Sequence, residues 1–154
     1  MLSDPETVWA RATSAEGINY ELSPWLRMTS PKSLRGTTIA DVSPGQKLGR
    51  SWILLLRVLP VDYDDIAIAE IGPGCRFLEQ STMFSMKRWQ HERDVQPDER
   101  GCVLTDRLTF ELRGPLARVP GSHRFASAMV RAIFKHRHRR LRTHYGNPPP
   151  RRVS

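Results

Sequence analysis

Four ionisable residues, Glu79, His91, Arg93 and Asp106, stand in segments whose pattern predicts β-strands. Successive strand residues point to opposite faces, so His91 and Arg93 lie on the face that the apolar Trp89 marks as the core side. The same alternation places Asp106 among the inward leucines of the following strand, and Glu79 among the inward residues of the preceding one. Adjacent strands therefore predict two carboxylates, an arginine and a histidine on one concave surface.

This predicted cluster has two interpretations that the residues alone leave open. Arg93 cannot lose its proton, so burial requires a carboxylate partner, for which Asp106 and Glu79 are the candidates. His91 could then form a hydrogen bond with the remaining carboxylate. The cluster is either a set of structural ion pairs that fixes the strand register or a polar anchor that orients a ligand. In the sharpest version of the second interpretation, His91 works with Asp106 in acid–base catalysis.

The strands that would position these residues are predicted from regular turn signals. Between Gly49 and Gly114, recurring Gly, Pro and Asp residues separate segments rich in β-branched and aromatic residues, which is typical of a meander of four to six antiparallel strands. We expect a further short strand at 37–40 and a hairpin loop at 96–101. The PVDYDD segment at 60–65 predicts a solvated turn, because its spacing lacks the glycine and glutamate of a calcium loop.

Helices are predicted at both ends of this meander. Ser3, Pro5 and Glu6 form a helix start, and we expect that helix to stop near Gly17. Residues 18–31 favour a short second helix or a packed loop. From residue 121 to 145 the apolar period becomes helical. The stripe predicted to face the core contains Phe125, Met129, Ala132, Ile133 and His136, and the opposite side contains Arg124, Ser127, Arg131, Lys135, His138 and Arg142.

The net charge of +8 comes from the C-terminal part of the chain, because the last acidic residue is Glu111. An anionic contact through this basic helix is therefore an open possibility. No nucleic-acid recognition motif accompanies it, so we predict no specific nucleic-acid partner. The residues that could make a weak contact with an anionic surface are Lys135, Arg137, Arg139, Arg140 and Arg142.

The apolar runs, the first residues and the cysteines limit the class of protein. The longest apolar run, WILLL at 52–56, is far too short to span a membrane, and the first ten residues lack the pattern of a signal peptide. Cys75 and Cys102 are too few for a disulfide scaffold and have no zinc-ligand spacing. We therefore expect a cytoplasmic protein with free thiols and without a metal or another cofactor.

The order of helical segments, antiparallel meander and long terminal helix resembles the START-like superfamily, also called SRPBCC. This superfamily contains polyketide cyclases and dehydrases, lipid-transfer domains and plant pathogenesis-related proteins. The strings INYELSPWLRMT at 18–29, LPVDYDDIAI at 59–68 and FKHRHRRLRTHYG at 134–146 are similar to a poorly characterised bacterial branch of ligand-binding proteins. The resemblance implies an α+β helix-grip fold, in which a curved antiparallel sheet wraps around the C-terminal helix. We expect a single domain at 1–146 and a disordered tail at 147–154.

The resemblance implies a strand before the first helix, but the helix start at Ser3 leaves almost no room for it, so either this chain starts late or that strand is short or missing. The edge of the sheet is then open, and we expect a monomer or a dimer formed through that edge.

The resemblance also implies a function. We expect the protein to bind a hydrophobic or amphipathic molecule, such as a lipid, a polyketide or an aromatic compound, between the sheet and the last helix. One alternative is a cyclase or dehydratase that uses His91 with Asp106 or Glu79, and another is an interaction module with an anionic partner. The helix-grip layout would place 20–28 at the cavity mouth, with Glu21 paired to Arg27. The candidate ligand-binding residues are Trp25, Met28, Trp52, Phe77, Glu79, Trp89, His91, Arg93, Asp106, Phe110, Met129 and Ile133.

Overall fold

The computed structural model describes residues 1–34 and 36–146, and the tail predicted at 147–154 lies outside them. Two short helices come first, and six strands follow. A short helix and a long C-terminal helix end the described chain. The elements are α1 (Pro5–Ala12), α2 (Ala15–Leu22), β1 (Leu26–Met28), 3-10 turns at Lys32–Leu34 and Ile39–Asp41, β2 (Lys47–Leu55), β3 (Leu59–Gly72), β4 (Cys75–Met83), β5 (Met86–Asp98), β6 (Gly101–Leu112), α3 (Gly114–Ala117) and α4 (Ser122–Tyr145).

The six strands form one curled antiparallel sheet in sequence order, β1-β2-β3-β4-β5-β6. The predicted α+β helix-grip class is therefore confirmed. The pairing of β5 with β6 shifts register between Met86 and Arg88, just before Trp89. At the edge strand β6, Met1 exchanges two backbone hydrogen bonds with Cys102. Within the described chain, no strand pairs with the rest of that side of β6.

The N-terminal helices differ from the prediction at their boundaries. Asp4, not Ser3, caps α1, because its Oδ1 accepts a hydrogen bond from the backbone N–H of Thr7 at 2.8 Å. Ser14 caps a second helix, because its hydroxyl accepts a hydrogen bond from the N–H of Gly17 at 3.0 Å. Gly17 therefore lies inside a helix and does not end one. A Cβ on Gly17 would lie 1.8 Å from the carbonyl oxygen of Arg11. Close contact between the two helices, rather than a helix end, therefore requires glycine at this position.

Two further predictions were wrong. The strand expected at 37–40 is replaced by the 3-10 turn at Ile39–Asp41, because the Asp41 carboxylate accepts from both the N–H and the hydroxyl of Thr38. The predicted solvated turn at 60–65 lies inside β3, where Asp64 is buried and only 3% exposed.

The core-facing side of α4 also differs from the predicted stripe. The buried positions on this helix are Ala126, Val130, Arg137 and Leu141, whereas Phe125 is 71% exposed. The predicted stripe of Phe125, Met129 and His136 lies one position away from the buried one, which Arg137 extends at helical spacing. Met129, at 45% exposure, therefore lies on the surface and not in the interior.

Three apolar clusters form the core along the sheet. Val8 of α1 packs with Leu141 of α4 at one end, and Trp89 packs with Val130 at the other. Phe77 belongs to the middle cluster and contacts Trp9 across a ring separation of 5.8 Å. Among residues 1–34 and 36–146, no helix is long and apolar enough to cross a membrane.

Candidate functional site

The centre of the site is Arg93 on β5, which is completely buried. Its Nε donates to Oδ1 of Asp106 at 2.7 Å and its Nη2 donates to Oδ2 at 2.9 Å. The guanidinium also donates to both carboxylate oxygens of Glu21, at 3.0 and 3.1 Å. Two carboxylates from different elements therefore bind one arginine in two-pronged geometry, which is the strongest form of a charge-assisted hydrogen bond. Of the two carboxylates that the sequence offered as partners of Arg93, Asp106 forms the pair.

His91, two residues before Arg93 on the same face, lies between two more carboxylate contacts. Its Nε2 is 2.8 Å from Oδ1 of Asp106, and its Nδ1 is 3.5 Å from Oε2 of Glu79. The hydroxyl of Ser81 donates to the other oxygen of Glu79 at 2.7 Å. Both ring nitrogens of His91 therefore face carboxylate oxygens.

The C-terminal helix closes the cluster from the opposite side. Nε of Arg137 donates to Oε2 of Glu21 at 2.9 Å, and Nε2 of His138 lies 2.7 Å from Oδ2 of Asp106. The predicted pair of Glu21 and Arg27 was therefore wrong. Glu21 on α2 faces the interior, where it forms ion pairs with two arginines, while Arg27 is exposed.

Burial and charge oppose each other at these carboxylates. Burial would raise the pKa of Asp106, but Arg93, with hydrogen bonds from His138 and His91, outweighs it and holds the pKa far below its usual range. Burial also acts to raise the pKa of Glu21, but the positive charges of Arg93 and Arg137 outweigh it and lower this pKa. The pKa of Glu79 is also lowered, because the contacts with His91 and Ser81 outweigh burial. The three carboxylates are thus held in their ionised form.

Asp64 is the exception among the buried carboxyl groups. Burial is the largest cause that raises its pKa well above the ordinary value, and the negative charge of Glu79 raises it further. One of its oxygens, Oδ1, has no hydrogen-bond partner among the described residues. The pKa of Asp64 is thus raised beside a carboxyl group, Glu79, whose own pKa is lowered.

A cleft of about 410 Å³ lies beside this cluster, between β6 and α4. Its floor is apolar, and a stripe of polar and cationic side chains from α4 lines one wall. Asp106 and His138 form the contact between the cleft and the buried cluster. The lining residues are Asp106, Leu108, Phe110, Ser127, Val130, Arg131, Phe134, Lys135, His138 and Arg142.

The structure separates the predicted ligand-binding residues into three groups. Asp106 and Phe110 line the cleft, and Met28 lines a separate pocket of about 30 Å³. Deeply buried residues form the second group, which contains Phe77, Glu79, Trp89, His91 and Arg93.

The third group lies away from the interior. Trp25 and Trp52 are 58% and 45% exposed, and Trp52 packs outward against Tyr63. Met129 and the half-buried Ile133 belong to the predicted stripe of α4, which lies beside the buried one. The prediction that these four line an internal cavity is corrected, because sequence position did not show which face of each element the sheet covers.

Sequence reasoning missed Glu21 and Asp64 as members of the cluster, and it placed Arg137 among the residues that could contact an anionic surface. One signal was available for Glu21, since the five N–H donors of a buried arginine exceed what one carboxylate accepts. In the part of the chain that the structure describes, no group of three or more His, Cys, Asp or Glu residues could hold a metal ion.

Comparisons with known proteins agree with this fold. Protein CV1439 from Chromobacterium violaceum has a TM-score of 0.69 at 11% identity, and the match covers 96% of this chain and 94% of that one. A protein from Rhodobacter sphaeroides has a TM-score of 0.62 at 16% identity, with 92% and 84% covered. Ara h 8.0201, which has a Bet v 1-like fold of the START type, has a TM-score of 0.57 at 12% identity, with 92% and 91% covered.

The sequence comparisons are more limited. The search of curated proteins found no match. A family model described as "Domain of unknown function (DUF8410)" matches residues 1–145. Because this match covers nearly the whole chain, the protein belongs to the DUF8410 family.

Proposed function

We propose that the protein binds an amphipathic small molecule in the cleft between β6 and α4. The observation that carries this proposal is the chemistry of the cleft, whose volume of about 410 Å³ falls within the range of small-molecule sites. Leu108, Phe110 and Phe134 offer an apolar floor to the body of a ligand. The Bet v 1-like neighbours support a ligand-binding fold.

The wall of the cleft favours an acidic head group. Arg131 and Lys135 stand one helical turn apart on this wall, and both are exposed. Neither forms an ion pair with any residue in the described ranges. Cations without carboxylate partners beside an apolar floor match a carboxylate, sulfonate or phosphate on an apolar body. His138 adds a hydrogen-bonding ring that Asp106 holds in place.

The cyclase or dehydratase alternative is less favoured by this geometry. The side chain of His91 is only 6% exposed, and both of its ring nitrogens face carboxylates. It does not line the cleft, so a substrate bound there would contact His138 rather than His91. Binding is therefore the function that the site supports best.

A pair of fluorescent probes tests the proposal. 1-Anilinonaphthalene-8-sulfonate has an apolar body with an anionic group, and N-phenyl-1-naphthylamine has the same body without charge. We expect both to bind, and the anionic probe to bind more tightly. Ser127→Trp, which fills the cleft, should weaken both probes by roughly tenfold or more. Arg139→Trp on the exposed side of α4 is the matched control, and equal binding by the two variants would refute the cleft as the site.

A further inference from the structure

The hairpin that joins β2 to β3 carries large apolar side chains into solvent. Leu56, Val58 and Leu59 are 58%, 79% and 57% exposed at its turn. The segment 52–61 contains a single charged residue, Arg57. Folded proteins bury such side chains, so consecutive exposed ones mark a surface of contact. We refer to residues 55–59 as the hairpin tip.

The backbone of the hairpin tip is also unusual. Leu56 and Arg57 have φ values of +49° and +70°, and Val58 donates its N–H to the carbonyl of Leu55 at 3.2 Å. Two consecutive positive φ values at a tight hairpin turn favour Asn-Gly, because a Cβ is crowded in this region. The chain places leucine and arginine there instead. Both side chains stay exposed, so core packing does not account for these residue types, and a contact outside the domain does.

The surroundings of the hairpin tip are aromatic and cationic. Trp25 accepts a backbone hydrogen bond from Leu56 at 2.8 Å, and its own side chain is exposed. Arg27, on β1, is an exposed cation close by in the sheet, where it pairs with Leu54 of β2. The acid nearest in sequence is Asp62, whose carboxylate is occupied by the hydroxyl of Ser85 and the backbone of 84–85.

We propose that the hairpin tip inserts into the interfacial region of an anionic lipid membrane. A projecting series of aliphatic side chains matches a fluid apolar phase, which needs no complementary shape. Tryptophan rings such as that of Trp25 favour the boundary between the head groups and the acyl chains. Arg27 and Arg57 are placed to meet anionic head groups, each adding attraction near the surface. The proposal is independent of the cleft, which lies between β6 and α4.

Sedimentation with lipid vesicles tests the proposal on the full chain. We expect binding to vesicles of phosphatidylcholine with phosphatidylserine, and weaker binding to phosphatidylcholine alone. The double variant Leu56→Asn with Arg57→Gly should lose roughly tenfold or more in vesicle affinity, since it removes an inserted side chain and a cation. The same variant introduces the preferred turn residues, so its melting temperature should equal or exceed that of the wild type. Unfolding then cannot explain a loss of binding.

A second pair of variants separates insertion from general exposed apolar surface. Val58→Ser with Leu59→Ser should reduce vesicle binding by a similar factor. The control is Phe125→Ser with Met129→Ser, which removes comparably exposed apolar side chains from α4. We expect the control to bind vesicles like the wild type. The proposal is overturned if the wild type binds neither vesicle, or if the tip variants bind as the wild type does. It is also overturned if the tip variants abolish only a concentration-dependent dimer, which would assign the tip to a second copy of this chain.

Discussion

Replacing Glu21 with glutamine should severely destabilise the fold, although the two side chains have nearly the same size. Glu21 is fully buried and accepts three charged hydrogen bonds, two from Arg93 and one from Arg137. Glutamine removes the negative charge and presents an amide N–H₂ toward guanidinium groups that can only donate. Arg137 would then lose the only carboxylate with which it pairs among the described residues.

The magnitude follows from the burial of these charges. Removing one partner of a buried ion pair typically costs about 3 to 5 kcal/mol, because the other charge stays in the interior without compensation. For a chain of this length, each kcal/mol lowers the melting temperature by about 2 to 4 °C, so we expect a decrease of about 6 to 20 °C. The exposed pair of Glu70 and Arg76 gives the matched control. Glu70→Gln should change the free energy of unfolding by no more than about 1 kcal/mol.

Urea unfolding monitored by circular dichroism measures both variants. Arg137→Gln, alone and combined with Glu21→Gln, completes a double-mutant cycle. We expect a coupling energy of about 1 to 3 kcal/mol, because the two side chains share one buried contact. A loss below about 1 kcal/mol for Glu21→Gln, or additive effects in the cycle, would refute the interpretation of these residues as one closed ion network.

Three further predictions concern pH, helix packing and ligand charge. The pKa of Asp64 is raised above its ordinary value of 3.8, so the native state binds this proton more tightly than the unfolded state, and stability falls as pH rises above that value. Asp64→Asn should therefore gain stability over the wild type as pH increases in urea titrations, and identical pH profiles would contradict this. Val130→Ala should cost about 1 to 3 kcal/mol by calorimetry, whereas Met129→Ala should cost less than about 0.5 kcal/mol, and equal losses would contradict the assigned face of α4. Arg131→Gln with Lys135→Gln should weaken the anionic naphthalene probe by about fivefold to thirtyfold and leave the neutral probe nearly unchanged, and equal weakening of both would show that the cleft does not recognise charge.

Much of the sheet could be predicted because local patterns decide it. Strand alternation placed Glu79, His91, Arg93 and Asp106 on one inner face, and the structure brings all four together. The order of elements also indicated a curved sheet with a long C-terminal helix. These features depend on side-chain parity and turn residues, which are properties of neighbours in the sequence.

The errors occurred where a distant partner decides the outcome. Glu21 contacts Arg93 across 72 positions in the sequence and Arg137 across 116, so no local pattern pairs them. On α4, two stripes one position apart both contain apolar residues, and Arg137 joins the buried one only because Glu21 lies opposite. The cleft was similarly hidden, since its wall of Ser127, Arg131 and Lys135 follows the usual pattern of a solvated helix face.

The ion network and the cleft meet at one contact, and this contact would couple stability to the binding that we propose. Asp106 holds Arg93 in the interior and His138 at the cleft wall, at 2.7 Å in each case. The network therefore connects β5 and β6 to α2 and α4, which fixes the separation of the two walls. A molecule that forms hydrogen bonds with His138 and fills the apolar floor stabilises the native arrangement by mass action, since the unfolded chain has no such site. Conversely, a substitution that loosens the network should widen the cleft and weaken binding before it unfolds the protein. The charged interior thus positions the apolar surface beside it, while a ligand in the proposed site would meet only the residues of the network that line the cleft, Asp106 and His138.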